Sequence, residues 1–255
     1  MSGPGTPAKA MVLAAGLGLR MRPITETLPK PLIRIGGRSL LDRILDRLAE
    51  AGVEESVVNV HHLAHVIEEH IEDHLTQRRR PAVRLSHEAA RLETGGGIAH
   101  ALRLFDDRPF FAINGDVLWE DGAPPTLPAL AAMWEAGRMD ALLVLHPVTT
   151  ARGYDGVGDF NRLADGRLQR RQGADAPYLF AGIQILHPRL FADAPPGPFS
   201  LNLLYDRAER AGRLFGLVHA GRWCHVGTPD DIPVAEAFLA DAGVQAADAT
   251  DAVQP

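Results

Sequence analysis

The strongest constraint on the fold is a rhythm. Short apolar runs of strand length alternate with longer segments whose apolar residues recur at helical spacing. "AKAMVLAAG", starting at Ala8, is an apolar run closed by glycine and reads as a buried strand. "SLLDRILDRLAEAG" then places Leu40, Leu41, Ile44, Leu45 and Leu48 on one helical face, with Ser39 as its N-cap and Gly52 just past its end. "ESVVNVHH" is the next strand, "LAHVIEEHIEDHL" the next helix and "AVRLSHE" a third strand. "LETGGGIAHALRLF" opens a helix on a Gly-rich turn, and "PFFAINGD" is a strand with a polar end. A helix around Leu127–Ala136 leads to the strand "DALLVLHPV". Strands alternating with helices in this order imply a mostly parallel sheet covered on both faces.

After Pro147 the rhythm changes. "GVGDFNRLADGRLQRR" carries Asp-Gly between two short runs, which predicts a β-hairpin. "PYLFAGIQIL" is a further strand, followed by a helix around Leu201–Ala211 and a strand "LFGLVHAGRWCHV". The last helix is expected at about Pro229–Ala240. The expected fold is therefore a three-layer α/β/α sandwich with a mostly parallel, Rossmann-like mixed sheet and a small hairpin insertion, suited to a substrate lid. Residues 1–8 are expected to be disordered, 9–240 to form one domain and 241–255 to be a flexible tail.

Composition narrows the function classes. The 255 residues carry a net charge of −6 and one cysteine, Cys224. The basic run Arg78–Arg80 is short, and no basic block is interleaved with aromatics, so non-specific nucleic-acid binding has little support and no nucleic-acid partner is expected. The N-terminus "MSGPGTPAKA" has no apolar h-region, so no secretory signal is expected, and no apolar run approaches a membrane span. A single cysteine excludes an internal disulfide and fits a cytoplasmic protein.

The loop after the first strand reads "LAAGLGLRMRPITETLPKPL". Gly16 and Gly18 invite a dinucleotide reading, but the position of the third fingerprint glycine holds Met21, and "VNVHH" offers no acidic residue. No Gly-Lys-Ser/Thr follows, so a Walker loop is excluded as well. The loop does carry Arg20, Arg22 and the Pro-flanked Lys30, one of two lysines in the chain. Glycines allow close backbone approach, loop N–H groups bind anions, and fixed cations meet phosphate oxygens. Together they point to a triphosphate loop. Asp116 ends a strand where a carboxylate can hold Mg²⁺. Five histidines between His61 and His74 include His70 and His74 at i, i+4, but the acidic, amphipathic helix that carries them reads as a solvated face.

With "LETGGGI", "NGDVLW", "FAGIQILHP" and "GRWCHVGT" following in order, "MVLAAGLGLRMRP…LPKPL" resembles the signature of the sugar-phosphate nucleotidyltransferases over nearly the whole chain. These join a nucleoside triphosphate to a sugar 1-phosphate and release pyrophosphate. The resemblance implies that Arg20 holds the departing phosphates, Lys30 the reacting phosphate, and Asp116 the metal. It places the nucleobase against Leu13, Ala14, Ala15, Gly16, Gly18 and the Glu93–Gly95 segment, and the sugar beside Gly182 and Asp159. Many relatives meet the sugar phosphate with the lysine of a Glu-Lys-Pro motif near the hairpin; here an arginine such as Arg162 would have to serve. The pattern is similar to short members of bacterial cell-wall recycling, which favours UTP and N-acetylmuramate 1-phosphate. Guanylyl or cytidylyl transfer to mannose 1-phosphate or another phosphate, and a non-catalytic sugar-nucleotide sensor, are the alternatives. The resemblance leaves the oligomer as monomer or homodimer.

"GRWCHVGTPD" holds one departure. Adjacent strand residues point to opposite faces, so Cys224 is expected in the core and His225 at the site. The family usually has aspartate, a second metal ligand, where His225 stands. Imidazole suits softer ions than Mg²⁺, which leaves three readings: Asp116 and the phosphates hold Mg²⁺ alone, His225 ligates a softer ion such as Mn²⁺, or His225 only hydrogen-bonds a phosphate or metal-bound water. His225 near the metal, with Mg²⁺ still used, is the expectation.

Overall fold

The computed structural model describes residues 5–77 and 80–251, with side chains omitted for 74–77 and 242–251. The expected disorder of residues 1–4, most of the basic run at 78–80 and the last four tail residues lie outside the described residues.

The elements in chain order are β1 (Lys9–Leu13), β2 (Arg34–Ile35), β3 (Arg38–Ser39), α1 (Leu40–Glu50), β4 (Glu55–Val60), α2 (Ala64–Gln77), β5 (Ala82–His87) and α3 (Glu93–Ala101). Then come β6 (Phe110–Asn114), β7 (Val117–Glu120), α4 (Thr126–Met133), β8 (Ala141–Pro147), β9 (Phe160–Arg162), β10 (Leu168–Arg170) and β11 (Tyr178–Leu186). The chain closes with α5 (Asn202–Arg210), β12 (Leu214–Val218), β13 (Arg222–His225) and α6 (Asp231–Asp251).

Nine strands make the central sheet. β1 is flanked by β4 and β6, both parallel to it, and β4 continues to β5. β11 runs antiparallel between β6 and β8, and β12 pairs parallel with β8. The Asp165–Gly166 turn closes the β9–β10 hairpin as expected, and β9 joins the sheet at Tyr178 of β11. Alternation along the strands splits the core in two. Ala10 and Val12 face α1, α2 and α4, whereas Met11 faces α3 and α5. This is the three-layer sandwich. Ser39 caps α1 by accepting the N–H of Asp42 at 3.0 Å.

Three boundaries differ from expectation. The stretch predicted as a single strand from Leu214 to Val226 is broken at Ala220–Gly221, where a Cβ on Gly221 would lie 1.9 Å from the Glu120 carbonyl oxygen. Only glycine permits that approach. β13 thereby leaves the main sheet and pairs with β7 instead, Cys224 opposite Leu118 and His225 opposite Val117. α6 continues to Asp251, well past Ala240. At the other end the fold starts before Lys9: Pro7 is buried, and the Ala8 carbonyl accepts the N–H of Glu54. No helix among the described residues is long and apolar enough to cross a membrane.

Candidate active site

The sheet reverses its direction of growth at β1, between β4 and β6. Ligand crevices of open α/β sheets lie at the carboxyl ends of strands beside such a reversal. Register makes the point concrete: Leu13 is paired with Asn59 on one side and Asn114 on the other. Just beyond these ends opens a cleft of about 360 Å³. Leu13, Ala14, Ala15, Gly16, Leu17 and Lys30 line it from the first loop, and Asn114, Gly115 and Asp116 from the turn after β6. Asn59, Glu88, Arg91, Glu93 and Thr94 close its far side.

At the mouth three predicted residues meet. Lys30 Nζ lies 2.6 Å from Asp116 Oδ2, and His225 Nε2 lies 3.2 Å from the same oxygen. A carboxylate only accepts, so the His225 proton on this contact sits on Nε2. Burial pushes the Asp116 carboxyl up, but the His225 hydrogen bond and the Lys30 charge outweigh it and hold it well below the usual carboxylate range. Asp116 is thus a fixed anion with Oδ1 unengaged among the described residues. β13 delivers His225 to this point because it pairs with β7, directly after the Asp116 turn. The Trp223 indole N–H donates to the Ala181 carbonyl at 2.8 Å, and its ring lies parallel to the His225 ring.

Arg20 stands exposed on the turn Leu19–Met21, outside the lining of the cleft and with no ion pair among the described residues. Gly18, at φ 59°, starts that turn. Its positive φ is the reason for glycine there.

The Gly-rich segment behaves differently from expectation. Glu93 lines the cleft, but it is exposed and ion-paired with Arg91 at 2.7 Å. Gly95 does not line it: a Cβ there would meet the Phe199 ring at 2.3 Å. Gly96 is pressed likewise against the Gly197 carbonyl, and Gly97 against Glu88. These glycines seat α3 under the 197–201 loop and over Glu88, which is why side chains are excluded.

What reasoning from sequence missed is a buried polar chain. The Ala14 N–H donates to Asn59 Oδ1 at 2.7 Å, and Asn59 Nδ2 donates to Glu88 Oε1 at 2.7 Å. Glu88 Oε2 accepts the N–H of Leu92 at 3.2 Å. This chain pins the first loop to β4 and β5. The available signal was Asn59 itself, a polar residue inside the apolar run "ESVVNV".

On β11, Gly182 has φ 77°, and a Cβ there would come within 3.1 Å of Asn114. The glycine keeps β11 at backbone distance from the turn bearing Asp116. The Asp159 carboxylate accepts the N–H of Phe180 at 2.9 Å and so ties the hairpin to β11. Arg162 donates to the Gly216 carbonyl at 2.8 Å, is absent from the cleft lining and is committed to holding the hairpin on β12. The histidine-rich stretch assembles no metal cluster among the described residues; His70 meets Asp42, His61 the Glu88 carbonyl and His62 the Thr25 carbonyl.

Cys224 is fully buried beside Met21, Val226 and Phe238. Burial, then the nearby Asp231, pushes its thiol up to about 12. The native protein is therefore expected to resist a thiol reagent such as Ellman's at pH 8 and to react fully once unfolded in guanidinium. Rapid labelling of the native form would contradict this placement.

Known proteins resemble this chain in sequence and in fold. A sequence profile described as Nucleotidyl transferase matches residues 9–170. The N-acetylmuramate alpha-1-phosphate uridylyltransferase of Caulobacter vibrioides is 43% identical over 238 residues, covering 92% of this chain and 98% of that one. The protein of the same name from Neisseria meningitidis is 34% identical over 234 residues, covering 90% and 97%. A solved UDP-glucose pyrophosphorylase, complexed with UDP-glucose, superposes with a TM-score of 0.74 at 19% identity, over 92% of this chain and 98% of that one, and so shares the fold. The loop, the Asp116 turn and the cleft between them fall inside or directly beside the matched region, and the chain belongs to the nucleotidyl transferase family.

Proposed function

We propose that the protein transfers a uridylyl group from UTP to N-acetylmuramate 1-phosphate, giving the UDP-sugar and pyrophosphate. The observation that carries this reading is the Lys30–Asp116–His225 constellation at the mouth of the β1 cleft. The choice of substrates follows the names of the two relatives matched over nearly their whole length.

An oxygen of the sugar 1-phosphate attacks the α-phosphorus. A new P–O bond forms there as the bond to the β-phosphate breaks, and pyrophosphate leaves. The attacking group is already an anion, so the reaction needs no protein nucleophile or strong base. The chain's task is positioning and charge neutralisation. The first loop, held by Asn59 and Glu88, presents backbone N–H groups to the nucleotide. Lys30 stands at Asp116, ready for the α-phosphate oxygens, and Arg20, on the exposed turn that follows Gly18, is the cation assigned to the departing phosphates. Gly95 acts by seating α3, Glu93 at the base edge, and Gly182 with Asp159 on the sugar side.

Asp116 and His225 fit a divalent cation. They offer the unengaged Asp116 Oδ1 and, when the His225 proton moves from Nε2 to Nδ1 and the contact to Oδ2 gives way, an imidazole nitrogen, leaving further positions to phosphate oxygens and water. A bound ion supplies charge neutralisation on the phosphates. Mg²⁺ is the ion proposed, with Mn²⁺ also accepted through His225. Replacing His225 by Asp should shift the ratio of Mg²⁺ to Mn²⁺ affinity toward Mg²⁺ by about tenfold, read by titration calorimetry of the protein alone. An unchanged ratio removes His225 from the metal site.

The test of function is pyrophosphate release from each of the four NTPs against a panel of sugar 1-phosphates. UTP with N-acetylmuramate 1-phosphate should give the highest kcat/KM. A best rate with GTP and mannose 1-phosphate would reassign the substrates. Binding without release in every combination would make the protein a sensor.

A further inference from the structure

Thr25 lies outside the cleft, 2% exposed, in the turn Ile24–Glu26. Each part of it is engaged. Its hydroxyl donates to the Gly18 carbonyl at 2.8 Å. Its methyl packs on Gly18, where a Cβ would come within 2.8 Å of Thr25 Cγ2 and 3.3 Å of Lys30 Cβ. Its own carbonyl accepts from His62 Nε2 at 3.1 Å, just past the end of β4. Gly18, Thr25 and Lys30 are thus one packed unit. The turn bearing Arg20 leaves from one side of it and Lys30 from the other.

We infer that Thr25 is a positioning residue for the triphosphate loop: with His62 as its anchor, it sets the Gly18 turn and so the spacing between Arg20 and Lys30. The inference rests on reading the loop from Ala14 to Arg22 as the triphosphate site. Thr25 touches no substrate in this account. The Gly18 carbonyl has a second donor, the Met21 N–H at 2.8 Å. Losing the Thr25 hydroxyl therefore leaves no buried acceptor without a partner, and the effect falls on the position of the turn rather than on folding.

Two substitutions divide the residue. Thr25→Val keeps the shape and removes the hydroxyl; Thr25→Ser keeps the hydroxyl. Forward and reverse kinetics with UTP, N-acetylmuramate 1-phosphate and pyrophosphate provide the readout. Thr25→Val is expected to raise KM for UTP and for pyrophosphate about tenfold, the factor that corresponds to loss of one hydrogen bond. KM for the sugar 1-phosphate should stay within about twofold, Tm within about 3 °C, and Thr25→Ser should restore the wild-type constants. His62→Phe, which leaves Thr25 in place, should raise the same two KM values about threefold. Unchanged KM values for UTP and pyrophosphate in Thr25→Val overturn the inference, as does a parallel rise for all substrates with a fallen Tm. If Thr25→Val does not fold, an unaltered UTP KM in His62→Phe overturns it. A wild-type protein that releases no pyrophosphate overturns the triphosphate reading itself, and with it this one.

Discussion

Replacing Lys30 by alanine should lower kcat by about 10²–10³-fold while Tm falls by only a few degrees. In the proposed reaction the ammonium, fixed 2.6 Å from Asp116 in the cleft, stands where negative charge redistributes over the α-phosphate. Removing one preorganised donor to a developing anion typically costs that much. Stability is affected less. Asp116 loses one partner but keeps His225, and with 28% of its side chain exposed it is not stranded in an apolar core. Saturating pyrophosphate-release rates and a thermal melt on the same preparation check both halves. Turnover within about tenfold of wild type would remove Lys30 from the chemistry.

Asp116→Asn should be comparably severe, about 10²–10³-fold in kcat, for a different reason. The amide keeps the shape and loses the charge. The carboxylate assigned to the divalent ion is then gone, and Lys30 loses the anion that holds it in place. Mn²⁺ binding followed by electron paramagnetic resonance separates the two effects, because it reads the ion without turnover. It should weaken by at least about tenfold. Full turnover with unaltered Mn²⁺ affinity would show that the ion binds elsewhere.

Much of this site is legible in the chain because its signals are local. The apolar run ending in Gly16, the Pro-flanked Lys30 and Asp116 at a strand end each declare a backbone geometry and a charge within a few residues. The structure brings Lys30 and Asp116 within 2.6 Å of each other. What was not legible depends on long-range contacts. The three glycines of "LETGGGI" look like a ligand surface, yet Gly95 is fixed by Phe199 and Gly96 by Gly197, both about a hundred positions away. Arg162 looks like a spare cation until the fold places it at the Gly216 carbonyl. The break at Gly221 depends on the Glu120 backbone, and it is this break that carries His225 to Asp116. The Asn59–Glu88 chain joins ends of two strands that only register aligns. Cys224 and His225 did separate onto opposite faces, since strand alternation is local.

The central claim is that the cleft lets one phosphate attack another directly, with no covalent protein intermediate. The stereochemistry at the α-phosphorus tests it most directly. With UTP carrying sulfur at a single α-phosphate configuration, one in-line displacement yields a UDP-sugar of inverted configuration, which phosphorus NMR resolves. Inversion is the expected result. Retention would mean two displacements through a protein nucleophile such as His225, and would contradict it.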